Sequence, residues 1–353
     1  MKINLVFTIF ILLACFKGLS GQTVTLLDSS NPSVSYRGLS IAKDGSIWVS
    51  GSKGTIGRST DQGISWNWIH PQGYDKRDFR DIVAFNASTA VTLAIDSPGV
   101  ILKTTDGGLH WKQVYFNNQS GVFLDDLCFQ DSVQGICVGD PMTDGKMLVL
   151  TTSNGGNTWK TLPTTLRPTL ETGEAMFAAS GSNTVALPRG NKHDYALVTG
   201  GTQSRLWFVN TTRSKNFPEV FTLPIVQGST TTGANALIRY EGDFYIIGGD
   251  FSTPRNNQKV FLSSKNGKNF EFPNQPNGYK SGIAALGNHI IAVGTTGVEW
   301  LYESNAGKTN PSMQSWVTLT ETPYHVVRHD PNTNVFYMAG PGGRIARLQL
   351  PVK

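Results

Sequence analysis

Short apolar runs of four to six residues recur along the chain, some alternating with polar residues and some continuous. Gly, Asp and Asn cluster between them. Runs of this length that end in turn residues predict β-strands, as at residues 46–51, 90–94 and 135–139. The runs come in sets of four, in which the third enters a distinctive turn and the fourth leaves it. The pattern therefore predicts an all-β protein built from repeated four-stranded units.

The distinctive turn has one spacing: a hydroxyl residue, Asp or Asn two positions later, Gly four later and Trp seven later. Its three copies are Ser59, Asp61, Gly63 and Trp66; Thr104, Asp106, Gly108 and Trp111; and Thr152, Asn154, Gly156 and Trp159. Asp or Asn accepts hydrogen bonds from following backbone N–H groups, Gly supplies a positive φ, and Trp is a large apolar plug. A repeat of 40 to 50 residues with four strands is typical of a β-propeller. We expect these Asp-box turns to be structural and to lie away from any active site.

Weaker copies of the turn continue along the chain, with Phe217, Phe270 and Trp316 at the aromatic position. The last unit lacks both the turn and a fourth strand, and residues 23–27 form an unassigned strand. Pairing the two chain ends would close a ring and hide both sheet edges. We predict one seven-bladed domain over residues 21–353. Its blades are expected at about residues 36–70, 79–117, 123–163, 173–224, 230–273, 279–320, and 324–350 plus 23–27.

Residues 1–20 have the pattern of a signal peptide: Lys2, an apolar core of about ten residues, and small Gly18 and Ser20 before the expected cut. The protein is therefore expected outside the cytoplasm, secreted or periplasmic. Leu12-Leu13-Ala14-Cys15 also resembles a lipobox, in which Cys15 would be lipidated. No later apolar run is long enough to cross a membrane.

The composition of the chain supports the predicted fold and argues against one class of function. The 353 residues include 38 Gly and only 16% charged residues, which suits short strands and tight turns. The net charge is +5 without a basic run, so nucleic-acid binding is not expected. Cys128 and Cys137 lie on neighbouring predicted strands, where they form either a cross-strand disulfide or two separate buried thiols.

Aligning the blades on their first apolar residue brings one polar residue of each blade to the same level. These residues are Arg37, Arg80, Asp125, Glu174, Asn235, Lys280 and His325. In a propeller they converge on one mouth of the central channel, so we predict a mixed-charge recognition ring there. The alternative is an ordinary polar lining of a wet channel. The irregular stretches 162–174 and 250–258 are further candidates for binding.

The sequence gives little support for a catalytic function. Sialidases share the Asp box and use arginines, a Tyr–Glu pair and an Asp. Arg37, Arg80, Tyr279 and Glu174 would have to supply this set, and the expected Arg-Ile-Pro motif near the N terminus is missing. His325 and His329 would lie about 13 Å apart on a strand, too far for one metal ion. We predict no catalytic residue, metal or cofactor.

Several stretches outside the turns resemble one family. They are residues 36–39, 78–82, 139–141, 173–181, 248–251, 278–282 and 340–346. The chain is similar there to the bacterial BNR/Asp-box propellers related to the photosystem II stability/assembly factor. The resemblance implies an exported seven-bladed propeller that holds a partner protein, and it implies nothing about photosynthesis. We expect a monomeric protein-binding scaffold; the alternative is a carbohydrate-binding or sialidase-like propeller.

Overall fold

The computed structural model describes residues 22–211, 217–256, 259–265, 267–302 and 315–350. The predicted signal segment and Cys15 lie outside these residues, as do parts of the weaker turn copies and the end of the 250–258 stretch. In the described residues the strands form seven antiparallel sheets, arranged as the blades of a β-propeller, and the one helical element is the short turn Thr164–Leu166. The predicted all-β, seven-bladed fold is confirmed.

Each blade runs outward from an innermost strand at the channel. Blade 1 contains Tyr36–Ile41, Ile47–Gly51, Ile56–Ser59 and Asn67–Ile69, blade 2 Phe79–Ala84, Ala90–Ala94, Gly99–Thr104 and Lys112–Asn117, and blade 3 Leu124–Phe129, Gly135–Pro141, Met147–Thr152 and Lys160–Thr161. Blade 4 contains Thr184–Ala186, Tyr195–Val198, Arg205–Val209 and Glu219–Thr222, and blade 5 Thr232–Tyr240, Asp243–Asp250, Phe261–Lys265 and Asn269–Glu271. Blade 6 contains Gly282–Leu286, His289–Gly294, Gly297–Tyr302 and Val317–Thr320, and blade 7 Val326–His329, Val335–Ala339, Ile345–Gln349 and Thr23–Asp28. The two-residue strands Glu174–Ala175 and Gly200–Gly201 join blade 4 to blade 5.

The two ends of the chain meet in blade 7. Thr23–Asp28 pairs antiparallel with Ile345–Gln349, with Val24 opposite Leu348. The N-terminal strand is thus the outer strand of the last blade, as predicted. This pairing closes the ring, and it covers the edge of Ile345–Gln349 that would otherwise be open. It also ties the first strand of the domain to the last.

The core lies between the blades. Every residue of Ile47–Gly51 and Ala90–Ala94 is buried, because both faces of a middle strand are covered by neighbouring blades. Trp48 is fully buried and meets the edge of Trp111 of the next blade, with ring centroids 6.3 Å apart. Burial of such side chains stabilises the fold by about 2 kcal/mol each. Side-chain packing between neighbouring blades therefore contributes much of the stability of the ring.

The three repeated turns have one hydrogen-bonding pattern. The N–H groups of Gly63, Gly108 and Gly156 donate to the hydroxyl oxygen four residues earlier, at 2.9, 3.0 and 2.9 Å. Asp61 Oδ1 likewise accepts from the backbone N–H of Ser65 at 2.9 Å. These glycines have φ between +79° and +90°, a region that disfavours other residues. All three turns join the third and fourth strands, away from the channel.

Cations link neighbouring blades at these turns. Lys103, in the third strand of blade 2, donates from Nζ to the carbonyl of Gly155 at 2.7 Å and to Asn157 Oδ1 at 3.0 Å in blade 3. Arg58, at the matching place in blade 1, donates to the carbonyl of Ala87 at 2.9 Å. Each cation therefore satisfies a carbonyl of the next blade.

The cysteines of blade 3 are separate free thiols. Cys137 pairs with Leu127 across the hairpin, whereas Cys128 pairs with Ile136. Successive strand residues face opposite sides of a sheet, so the two sulfur atoms lie on opposite faces. The structure therefore has two separate thiols and no disulfide between them; Cys137 is buried, as expected for the second arrangement, whereas Cys128 is partly exposed.

Candidate functional site

The innermost strands of four blades carry a β-bulge at the same level. The extra, unpaired residue is Arg37 in blade 1, Arg80 in blade 2, Asp125 in blade 3 and Asn235 in blade 5. A bulge turns a side chain out of the regular alternation. Four of the predicted ring residues are therefore structurally equivalent.

Blade 4 replaces this bulge by a long excursion. Glu174 pairs with Gly201, and pairing resumes only where Thr184 meets Leu197. Residues 176–183, here called the plug segment, leave the sheet between these points. Glu174 therefore occupies the paired position of Tyr36, one residue before the bulge position of Arg37. Its predicted alignment with Arg37 is wrong, because the bulge level in blade 4 is taken by the plug segment.

The plug segment is held from several blades at once. Arg37 Nη1 donates to the carbonyl of Ala179 at 3.3 Å, and Arg80 Nη1 donates to that of Ala178 at 3.4 Å. From the opposite side, the carbonyl of Ser281, just before blade 6, accepts a hydrogen bond from Ser180 Oγ at 2.5 Å. These contacts place the plug segment inside the channel.

Further down, the same segment meets blades 5 and 7. Leu237 N donates to the carbonyl of Ser182 at 2.8 Å. Arg328 donates to Ser182 Oγ at 2.7 Å and to the carbonyl of Ser180 at 3.1 Å. The plug segment thus divides the channel into an upper cavity on the Arg37 side and a lower cavity on the Arg328 side.

The upper cavity has a volume of about 410 Å³. Its lining combines four predicted ring residues with the start of the plug segment and an aromatic wall; the main contributors are Arg37, Arg80, Phe123, Asp140, Met176, Phe177, Asn235, Phe251, Tyr279 and His325. The structure therefore brings Arg37, Arg80, Asn235 and His325 together at one mouth of the channel.

The two arginines differ in their partners. Arg80 forms an ion pair with Asp78, with Nε and Oδ2 2.9 Å apart. Arg37 makes no ion pair within the described parts of the chain, and its side chain donates instead to the carbonyl of Ala179. Burial, with the positive charge of Arg80, lowers the pKa of Arg37, but a guanidinium stays charged in proteins. The upper cavity therefore contains a positive charge that no described side-chain carboxylate neutralises directly.

Two further titratable groups line this cavity. Burial raises the pKa of Asp140 to about 6, although its Oδ1 accepts a hydrogen bond from Met176 N at 3.1 Å. Burial, with the nearby Arg37 and Arg80, lowers the pKa of His325 to about 3, so this imidazole is neutral at pH 7. His325 Nε2 lies 3.2 Å from Ser35 Oγ.

The aromatic wall comes from three separate parts of the chain. Phe177 of the plug segment meets Phe251 edge to face at 5.6 Å, and Phe251 meets Tyr279 at 6.3 Å. Tyr279 Oη donates to Asn235 Oδ1 at 2.9 Å, which fixes its ring. Phe251 is 45% exposed, unusual for a large aromatic residue. It stands in the predicted binding stretch 250–258, of which residues 250–256 are described.

The other three predicted ring residues lie elsewhere. The Lys280 ammonium turns away from the cavity to Glu299 Oε2 at 3.4 Å, and both residues are fully buried. Glu174 forms a buried ion pair with Arg205. Asp125 is completely buried, and burial with the nearby Asp140 and Asp126 raises its pKa. Glu174 does not line the upper cavity with Tyr279, and its carboxylate is engaged by Arg205, so the sialidase-like combination of these two residues is not formed there.

The lower cavity has a volume of about 400 Å³. Every innermost strand contributes to its lining, and in each strand one of the lining residues lies one or two positions before the strand ends. These seven residues, here called the lower ring, are Ser40, Val83, Cys128, Val185, Ile238, Ala285 and Arg328. The sequence pattern assigned no role to this level.

The plug segment and the aromatic wall could not be found from the strand pattern. A weak signal was present, since residues 173–181 are among the stretches outside the repeated turns that carry the family resemblance. Within the described residues, no cluster of three or more potential ligands could hold a metal ion. The same part of the chain contains no helix that is long and apolar enough to span a membrane.

Neither protein-family models nor curated proteins matched the sequence. Solved structures did match its fold. "YCF48 bound to D1 peptide" is similar with a TM-score of 0.62 and 14% identity, over 91% of this chain and 95% of that one. YCF48 from Cyanidioschyzon merolae gives 0.60 and 14%, over 93% and 99%. A chain of the mitotic checkpoint complex gives 0.63 and 10%, over 99% of both. At these identities the likeness shows the fold alone, and the fold of this chain is the seven-bladed propeller described above.

Proposed function

We propose that the protein is an exported propeller that binds a partner protein, taking an acidic segment of that partner into the upper cavity. The observation that carries the proposal is the half-buried Arg37, whose charge no carboxylate in the described residues pairs with. Arg80 lines the same cavity and adds a second cation. A carboxylate of the partner would complete this site with charge-assisted hydrogen bonds.

The aromatic wall supports a peptide as the occupant. The exposed Phe251 and the rings of Phe177 and Tyr279 offer apolar surface next to the two arginines. Aromatic residues and Arg are enriched where protein interfaces gain most of their binding energy. One structural neighbour, YCF48, was solved with a D1 peptide, which is a precedent for peptide binding by a propeller of this architecture.

The export part of the proposal rests on residues 1–20 alone. The carbohydrate alternative has less support, since Glu174 is engaged by Arg205 and Thr199. Among the described residues around Tyr279 there is neither the sialidase-like set nor a cluster of exposed sugar-stacking rings. Phe251 is the one strongly exposed aromatic residue in the described lining of the upper cavity.

Selection from a displayed library of random peptides tests the proposal. Wild-type protein should enrich acidic peptides, and the double variant Arg37→Gln/Arg80→Gln should bind them at least tenfold more weakly. Gln keeps an N–H donor for the plug-segment carbonyls while removing the charge. Lys112→Gln, which removes an exposed charge on the outer strand of blade 2, is the matched control.

A second arm uses the mature chain as bait in an extracytoplasmic fraction. A partner held by wild type and by Lys112→Gln but lost by the double variant would support the upper cavity as its binding site. Equal retention by all three proteins would place binding elsewhere, and the absence of any enriched peptide or partner would overturn the proposal.

A further inference from the structure

The lower ring presents a mainly apolar surface. Five of its seven members are Val, Ile, Ala or Cys. The Ser40 hydroxyl already accepts a hydrogen bond from Ala84 N at 3.0 Å. The Arg328 guanidinium turns upward to Ser182 and Ser180 of the plug segment. The Ser40 oxygen and the Arg328 guanidinium are therefore already engaged by the protein, although Thr184 Oγ1, without a hydrogen-bond partner among the described residues, and the buried carboxyl of Asp81 also line the cavity.

Such a cavity is poorly suited to water. An ordered water needs two to four polar partners, and five of the seven side chains of the lower ring are Val, Ile, Ala or Cys. A volume of about 400 Å³ with mainly apolar walls lies in the range of small-molecule sites. The plug segment closes the inner end, so a ligand would enter from the outer mouth.

The outer mouth carries a cation. Arg239 lines the cavity at the end of the innermost strand of blade 5, is exposed, and makes no ion pair among the described residues. Tyr240 lies beside it and is half-buried. His329 also lines this end, with Nε2 2.8 Å from the carbonyl of Thr333. The mouth thus places one exposed positive charge next to an apolar interior.

We propose that the lower cavity is a second site, independent of the upper one, for a small amphiphilic anion such as a medium-chain carboxylate. The alkyl chain would fill the lower ring below the plug segment. The carboxylate would remain at the mouth beside Arg239. The apolar walls supply affinity by removing the chain from water, and the single cation selects an anionic head group.

Calorimetric titration of the full mature chain with decanoate tests this site. We expect binding with a negative heat-capacity change, the sign of apolar burial. Ala285→Phe, which fills the lower ring, should abolish binding. Arg239→Gln should weaken it about tenfold, whereas Lys112→Gln should leave it unchanged. Decanol should bind more weakly than decanoate.

A second readout needs no substitution. Cys128 belongs to the lower ring, whereas Cys137 is completely buried on the opposite face of the same hairpin. Decanoate should slow alkylation of Cys128 by N-ethylmaleimide in the folded wild-type protein at least fivefold. The slower alkylation of Cys137 should not change, which makes it an internal reference for unfolding.

Three outcomes would overturn the proposal. One is the absence of decanoate binding to wild type together with an unprotected Cys128. Another is binding that Ala285→Phe leaves intact, which would place the ligand elsewhere. Equal affinity for decanol and decanoate would remove the role given to Arg239. Each result is separable from the peptide-binding tests, which concern the upper cavity.

Discussion

Gly181 of the plug segment lies directly against the carboxylate of Asp81. A β-carbon on Gly181 would be 2.1 Å from Asp81 Oδ1, and Gly181 has a φ of +54°. Asp81 cannot easily give way, because its two oxygens accept backbone hydrogen bonds from Ile82 at 2.8 Å and Leu127 at 2.7 Å. The plug segment therefore fits against Asp81 only because residue 181 is a glycine, which has no side chain.

Replacing Gly181 by Ala should destabilise the fold by roughly 2 kcal/mol or more, through overpacking against Asp81 and strain at positive φ. Denaturant unfolding measures this. Gly190→Ala is the matched control, because Gly190 has a φ of +91° but no atom within 4 Å of the position that a β-carbon would take. That variant should lose about 1 kcal/mol. Equal losses would mean that the Asp81 contact contributes nothing.

Asp140 should give stability an unusual pH dependence. Its folded pKa of about 6 is raised above the unfolded value by burial, so between about pH 4 and pH 6 the native state binds more protons than the unfolded state. This contribution therefore falls as pH rises through that window. Asp140→Asn should make this fall shallower and gain about 2 kcal/mol relative to wild type by pH 7. The part of the fall that remains belongs to other buried carboxyls with a raised pKa, such as Asp125. Urea unfolding from about pH 3 to 7 measures the difference.

Asp61→Asn is the control for the Asp140 experiment, because folding shifts the pKa of Asp61 in the opposite direction. Hydrogen bonds from Ser65 and Ser59 lower the pKa of Asp61 to about 2. Its contribution is present above the unfolded pKa and lost as pH falls toward about 2, so this substitution should leave the window from about pH 4 to 6 unchanged. Asn154 occupies the same turn position naturally in blade 3. Equal slopes of stability against pH for wild type and Asp140→Asn between about pH 4 and pH 6 would refute the role assigned to Asp140.

We expect Lys280 to stabilise the fold and to have no part in peptide binding. Lys280→Met should destabilise the protein by about 3 to 5 kcal/mol, because it leaves Glu299 buried without its cation. The double variant Lys280→Met/Glu299→Leu should recover much of that loss. Thermal unfolding of both variants measures the effect, and peptide binding by whichever remains folded should match wild type. A loss of binding without loss of stability would return Lys280 to the recognition ring.

The link between blades 2 and 3 predicts a further stability effect. Lys103→Met removes the hydrogen bonds from Nζ to the Gly155 carbonyl and Asn157. We expect a loss of about 1 to 3 kcal/mol, since a buried carbonyl is left with fewer partners. Lys112→Met, on an exposed outer position of the same blade, should change stability by less than about 0.5 kcal/mol. Similar values for both, measured by urea unfolding, would show that the inter-blade contact is dispensable.

The residues that stand at the bulge level of the channel could largely be predicted, because the local sequence pattern determines where each innermost strand begins. Arg37, Arg80, Asp125 and Asn235 align in the sequence, and all four are the extra residues of equivalent bulges. Where each side chain goes after the bulge could not be predicted. Asp125 ends fully buried while Arg37 lines the upper cavity, since this depends on neighbours that are distant in sequence.

The seven blades, the repeated turns and the closure of Thr23–Asp28 onto Ile345–Gln349 could all be derived from the amino-acid sequence. They follow from strand periodicity and turn chemistry, which act over a few residues and repeat along the chain. That residues 176–183 enter the channel, and that Phe177, Phe251 and Tyr279 form one wall, emerged only from the three-dimensional packing. Such contacts depend on how an irregular segment fills the space left by all seven blades, and that space exists only once the ring has closed.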